Sequence, residues 1–188
     1  MSVALQTRFT PEDLLIMPGG SRHELVDGKL VELNSSDFCS FVAHRIYCLL
    51  RSYSNDHWPA WVLPEGTTYS CFPNSPCTVR KADVSVLRLE RLTANEAQTI
   101  GHMLIAPDLV VIVSSPWDLV YGLDKKIHDF LAAGVTLVWE VNPKLHTVVV
   151  HRRDGTGICL DETDEITGES VLPGFSCRVS EFFRLTTT

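Results

Sequence analysis

Lys81-Ala82-Asp83-Val84-Ser85-Val86-Leu87 and Ala106-Pro107-Asp108-Leu109-Val110-Val111-Ile112-Val113-Ser114-Ser115-Pro116 decide how this chain is read. Both runs are apolar and rich in β-branched residues, and each strand opens on an aspartate. Short apolar runs of this composition, bounded by turn formers, read as buried strands. An acid entering such a strand costs free energy unless it is paired, hydrogen-bonded or bound to a metal. Residues 118–133 follow as a helix, with Ile127, Phe130 and Leu131 at core spacing and Gly134 as its stop. Lys125-Lys126 lie on that helix, and one of the two must point inward. Two strand-opening acids beside a lysine suggest a site for a metal and a phosphate.

Working outward, Thr10-Pro11-Glu12-Asp13 carries a helix start, with a threonine cap, proline at the first helical position and acids in the first turn. Residues 23–33 read as a hairpin about Asp27-Gly28, because glycine accepts the positive φ that such a turn demands. Asn34-Ser35-Ser36-Asp37 offers a cap for a second helix over residues 38–53, with Phe38, Val42, Ile46, Leu49 and Leu50 at helical spacing. Residues 58–63 and 67–72 read as strands about Pro64-Glu65-Gly66. Residues 135–141 and 147–151 form a hairpin around Asn142-Pro143-Lys144, and the tail holds a strand at 174–179 and a short helix at 180–183. The expected architecture is an α/β domain with a mixed central sheet flanked by helices.

At 188 residues the chain suits a single domain, 1–188, with a full core. No apolar run approaches the roughly 20 residues that span a bilayer, and residues 1–10 lack the order of a signal peptide. The expectation is a cytoplasmic protein without membrane contact. Six cysteines are present with no CxxC spacing, so neither a disulfide framework nor a structural zinc site is expected. Cys71 and Cys77 flank a Pro-Asn-Ser-Pro loop and are the pair placed to meet on oxidation. The net charge of −7 gives no global basic footprint, so any DNA contact must use local cations: Arg80-Lys81, Arg88, Arg91 and Lys125-Lys126. Ser114 and Ser115 have no histidine at motif spacing to activate them.

The chain resembles the Uma-type restriction-endonuclease family, within the PD-(D/E)XK nuclease superfamily. The resemblance rests on His23-Glu24-Leu25-Val26-Asp27-Gly28, Val79-Arg80-Lys81-Ala82-Asp83-Val84-Ser85, Ala106-Pro107-Asp108-Leu109-Val110-Val111 and Ser115-Pro116. It continues through Ala132-Ala133-Gly134-Val135, Val138-Trp139-Glu140-Val141-Asn142-Pro143 and Leu172-Pro173-Gly174-Phe175, an ordered set over nearly the whole chain. It implies a restriction-endonuclease-like core, DNA as substrate, and Mg²⁺ or Mn²⁺ held by strand acids while a lysine steadies developing charge. Carried over, Asp83 matches the first metal ligand, Lys126 the family's helix-borne lysine and Glu24 the acid of the hairpin segment.

One position departs from the pattern. The family's strand continues Val-Val-Glu-Val, the glutamate being the second metal ligand, whereas this chain reads Val110-Val111-Ile112-Val113. Isoleucine has no lone pair to offer a metal. Asp108 shares the face of Ile112 but lies about 13 Å along the strand at roughly 3.3 Å per residue, too far to substitute. Glu140, on a neighbouring strand, is the better candidate for rescue. The bland alternatives stand beside these roles: Asp83 as an ion-pair partner of Lys126, Asp108 as a turn acceptor, Glu24 as a backbone acceptor. The resulting expectation is a metal-dependent endonuclease with impaired or lost catalysis. Its rivals are an inactive nuclease-fold binding or interaction module working as a homodimer, and a small-molecule binder that reuses the cleft.

Overall fold

The computed structural model describes residues 8–98 and 101–185. Helix α1 (Pro11–Ile16) starts at Thr10, whose hydroxyl accepts from Asp13 N while the Asp13 carboxylate accepts from Thr10 N. That reciprocal pair satisfies two donors a helix start would otherwise leave open. Strands β1 (His23–Val26) and β2 (Lys29–Glu32) pair antiparallel through Asp27 and Gly28, at φ 51° and 81°. Helix α2 (Asp37–Asp56) begins at Ser36, whose hydroxyl accepts from Cys39 N.

Strands β3 (Ala60–Leu63), β4 (Thr68–Tyr69), β5 (Arg80–Lys81) and β6 (Val84–Arg88) follow, then α3 (Ala94–Ala97) and β7 (Leu109–Val113). Helix α4 (Val120–Ala132) supplies the crossover that a parallel pair requires and leads into β8 (Leu137–Asn142). The chain closes with β9 (Thr147–Arg152), β10 (Gly157–Leu160), β11 (Glu165–Gly168), β12 (Leu172–Arg178) and α5 (Ser180–Phe183). Among the described residues the largest sheet has six strands in the order β10-β9-β8-β7-β6-β3, mixed because only β7 and β8 run parallel.

Strand alternation divides the core between the faces of this sheet. Leu109, Val111, Val113, Leu137, Trp139 and Val141 pack on one side against α2, α5 and β12. Val110, Ile112 and Val138 pack on the other against Ile127 and Phe130 of α4 and against Tyr69 and Phe72. A smaller cluster of Leu14, Leu25 and Val79 ties α1 and the β1–β2 hairpin to β5. No helix among the described residues is long and apolar enough to cross a membrane.

Several sequence expectations shift at their edges. Phe38 is exposed, and Cys39 and Ala43 take the core face of α2 with Val42, Ile46 and Leu50. The strand expected over 67–72 shortens to β4, and the loop leading on from it holds Cys71 and Cys77 as free thiols, Cys71 pushed up to about 12 by burial. The segment joining β6 and β7 includes residues 99–100, which lie outside the described residues.

Candidate functional site

The tight hairpin turn delivers the first acid. Leu25 exchanges hydrogen bonds with Val79 (Leu25 N to Val79 O 2.9 Å, Val79 N to Leu25 O 2.8 Å), docking β1 beside β5. Leu25 fills the small core cluster, and alternation turns Glu24 the other way, toward α4. There the buried Glu24 carboxylate accepts from Lys126 Nζ, Arg80 Nη1 and Lys81 N, each at 2.8 Å. Burial alone would raise its pKa, but the Lys126 and Arg80 charges and these hydrogen bonds outweigh it and hold Glu24 below its ordinary value.

The network runs on through Arg80, whose Nη2 and Nε donate to Asp129 at 2.7 and 3.0 Å. Lys125 Nζ reaches Asp129 at 3.1 Å and Asp27 at 3.5 Å. Signs alternate along Lys126, Glu24, Arg80, Asp129, Lys125 and Asp27, so no charge within this network stands alone. Buried charges persist only when paired in this way. Lys81 turns aside, its Nζ donating to Ser21 O, and burial lowers its pKa against the pull of Glu24.

Asp83 sits at the entrance to β6. Its N–H donates to Val111 O at 3.0 Å, and its Oδ2 accepts from Val113 N at 2.7 Å, so it clamps the end of β7. Burial pushes its pKa up to about 6, with Lys126 and the Val113 N–H pulling the other way. Burial would lower Lys126, but the charges of Glu24 and Asp83 raise it. Asp83, Ile112, Glu24 and Lys126 line one cleft of about 540 Å³, rimmed by Glu65, Trp117 and Leu119.

Ile112 is only 2% exposed and packs in the apolar cluster beneath α4. Its register partner on β8 is Glu140, whose Oε2 lies 2.9 Å from His151 Nε2 of β9. Asp108 lies off this cleft, accepting from Arg88 N at 3.0 Å and Arg91 Nη1 at 2.8 Å, as a turn acceptor at the strand entrance does. Most of the local cations named for DNA contact are engaged within the fold. Arg80 is consumed by Glu24 and Asp129, Lys81 is buried, and Arg88 and Arg91 are bound to Asp108.

Mg²⁺ and Mn²⁺ need several oxygen ligands at once. Asp83 offers one carboxylate with one oxygen already accepting, Glu24 has both oxygens engaged by three donors, and Ile112 has none. Among the described residues no three His, Cys, Asp or Glu side chains gather as a ligand set. Glu65 also lines the cleft and its charge bears on Asp83, so the carboxylates open to either ion are Asp83 and Glu65.

Arg80 and Asp129 were not singled out as site residues from the sequence. Asp129 follows Lys125 by four residues on a helix, a spacing that pairs charges and could have flagged it. Arg80 precedes Lys81 with nothing local to say which would turn inward.

A mixed sheet with an acid at a strand entrance, covered by a crossover helix that turns a lysine toward it, defines an α/β protein with a charged cleft. The chain belongs to the Uma2 family, described as "Putative restriction endonuclease", which it matches over residues 11–180. Its fold is similar to the crystal structure of a protein from Anabaena variabilis described as a "putative nuclease belonging to DUF820". The TM-score is 0.75 at 19% identity, over 93% of this chain and 97% of that one. A comparison with curated proteins finds no match.

Proposed function

We propose that residues 1–188 act as one nuclease-family domain in which metal-dependent hydrolysis of DNA is impaired or lost, leaving the cleft as a binding or interaction surface. The observation that carries this reading is Ile112, an apolar side chain packed in the core where the family places its second metal-binding acid. In the family pattern Asp83 is the first metal ligand, Lys126 the lysine that steadies developing charge, and Glu24 an accessory acid. Here Lys126 supplies the positive charge between Glu24 and Asp83 that a metal would otherwise bring. Rescue by Glu140 is disfavoured, because its carboxylate is held toward β9 by His151.

The test is plasmid cleavage in Mg²⁺ and in Mn²⁺, with metal binding by calorimetry. The expected result is no cleavage above a metal-free control and no saturable binding heat. Robust cleavage abolished by Asp83→Ala would overturn the proposal, and Glu140→Ala would then locate the missing ligand. Ile112→Glu adds a carboxylate on a strand face that already holds Asp83. It should lower the melting temperature in EDTA, since a buried unpaired acid costs several kcal/mol or takes up a proton. Mn²⁺ should restore much of that loss, because binding to the folded state alone stabilises it by mass action. Equal stabilisation of wild type and variant by Mn²⁺ would show that Ile112 is not what disables the site.

A further inference from the structure

Away from the cleft, α2 carries a second pair of chemistry-bearing side chains. Its buried residues Val42, Ala43, Ile46 and Leu50 face the core, while His44 and Cys48 stand exposed to solvent. Residues four apart on a helix lie one above the other. Cys48 Sγ is 3.5 Å from His44 Nε2, and the His44 ring stacks on Tyr47 with 6.4 Å between centroids. Tyr47 is itself packed against the core, which limits where the imidazole can turn.

We propose that His44 and Cys48 together chelate Zn²⁺ on the outer face of α2. Zinc holds sulfur at about 2.3 Å and imidazole nitrogen at about 2.05 Å, so at tetrahedral angles two such donors stand about 3.6 Å apart. The observed 3.5 Å is close to that separation, and ligands four residues apart on one helix can share a zinc ion. Imidazole and thiolate favour zinc over Mg²⁺ and Mn²⁺, which prefer carboxylate and water oxygens. On binding, the thiol gives its proton to solvent, sulfur bonds to the ion, and the neutral imidazole donates its Nε2 lone pair. Water completes the shell, since among the described residues no group of three His, Cys, Asp or Glu side chains gathers here. Half the ligand set of a structural site limits the strength, to a dissociation constant on the order of 10⁻⁴–10⁻⁶ M. The exposed Arg51, one turn beyond Cys48, opposes a dication, whereas the net charge of −7 attracts one. Helices α2 and α4 pack on opposite faces of the sheet, so the inference stands whether or not the cleft retains catalysis.

Alkylation of the full chain by iodoacetamide, with the labelled cysteines mapped by mass spectrometry, tests it. Cys159 is the internal control, a free thiol exposed like Cys48 but with no histidine bonded to it. Zn²⁺ at about 10⁻⁴ M should slow the labelling of Cys48 by roughly tenfold and leave Cys159 at its metal-free rate. Mg²⁺ at the same concentration should protect neither. His44→Ala keeps the thiol and removes the second donor, so Zn²⁺ should no longer protect Cys48. Should that change lower the melting temperature, His44→Leu gives the same reading. Co²⁺ in place of zinc should give the wild type a thiolate-to-metal charge-transfer absorption that both His44→Ala and Cys48→Ser lose. Equal protection of Cys48 and Cys159, or protection of Cys48 that survives the loss of His44, would mean an adventitious ion only and overturn the proposal. A wild type whose Cys48 labels at the same rate with and without Zn²⁺ overturns it as well.

Discussion

Asp83 and Glu24 are two carboxylates in one cleft with opposite electrostatic fates. Glu24 is stabilised as an anion by two cations and a backbone N–H, whereas Asp83 has one backbone donor and a more distant share of Lys126. Between about pH 4 and pH 6 the unfolded chain has released the Asp83 proton and the folded chain still holds it. The contribution of this group to stability therefore falls as pH rises through that window. A shift from 3.8 to about 6 corresponds to at most about 3 kcal/mol at roughly 1.4 kcal/mol per unit. Asp83→Asn should accordingly raise stability by about 1–3 kcal/mol at pH 8 and by little at pH 4, measured by urea unfolding at both pH values. A gain independent of pH would contradict the burial argument. Glu24→Ala should act oppositely, costing about 3–5 kcal/mol because Arg80 and Lys126 lose their shared counter-ion inside the fold. An urea midpoint unchanged from wild type would show that water relieves both cations. The resemblance named Asp83, Glu24 and Lys126 from the sequence, and all three line the cleft. It could not foretell that Glu24 would be consumed, since Arg80 lies 56 residues away and reaches it only after β1 docks on β5.

At the scale of elements, legibility follows how local the determining chemistry is. The Asp27-Gly28 turn, the Thr10 cap and the Gly134 stop each depend on a few neighbouring residues and lie where the sequence places them, and the cap offered by Asn34-Ser35-Ser36-Asp37 falls on Ser36. β10 and β11 were not foreseen. Gly157-Ile158-Cys159-Leu160 has no buried alternation and becomes a strand only because β9 supplies its backbone partners. β5, only two residues long, likewise exists through its pairing with β4. The hairpin deserves a test because it carries Glu24. Gly28 has φ +81°, and a Cβ there would meet Arg8 Cβ and Cγ at 3.3 Å. Gly28→Ala should therefore destabilise the protein by about 1–2 kcal/mol, from left-handed strain and a crowded approach. Thermal melts of wild type and variant check it, and an equal or higher midpoint for the variant would mean the turn relaxes freely.

For the whole molecule the question is how a chain of net charge −7 meets a polyanion. The cleft itself gives no local exception. Its lining holds Arg22, Arg80, Lys81, Lys125 and Lys126 against Glu24, Glu32, Glu65, Asp83 and Asp118, five of each sign. Arg80, Lys125 and Lys126 are also spent on carboxylates within the fold. Affinity for duplex DNA comes largely from cations that displace counter-ions, and log K falls with log salt by about 0.9 for each phosphate neutralised. With so few uncommitted cations, metal-free binding should be weaker than about 10⁻⁶ M at physiological salt, with a salt slope of magnitude below about 2. Fluorescence anisotropy with a labelled duplex in EDTA, titrated at several salt concentrations, measures both quantities. Sub-micromolar binding with a steep slope would mean that the pairs about Glu24 and Asp129 open to meet phosphate. Lys125→Ala and Lys126→Ala would then each flatten the slope by about 1. Without that steepness, the charge pattern is that of a cleft neutralised from within.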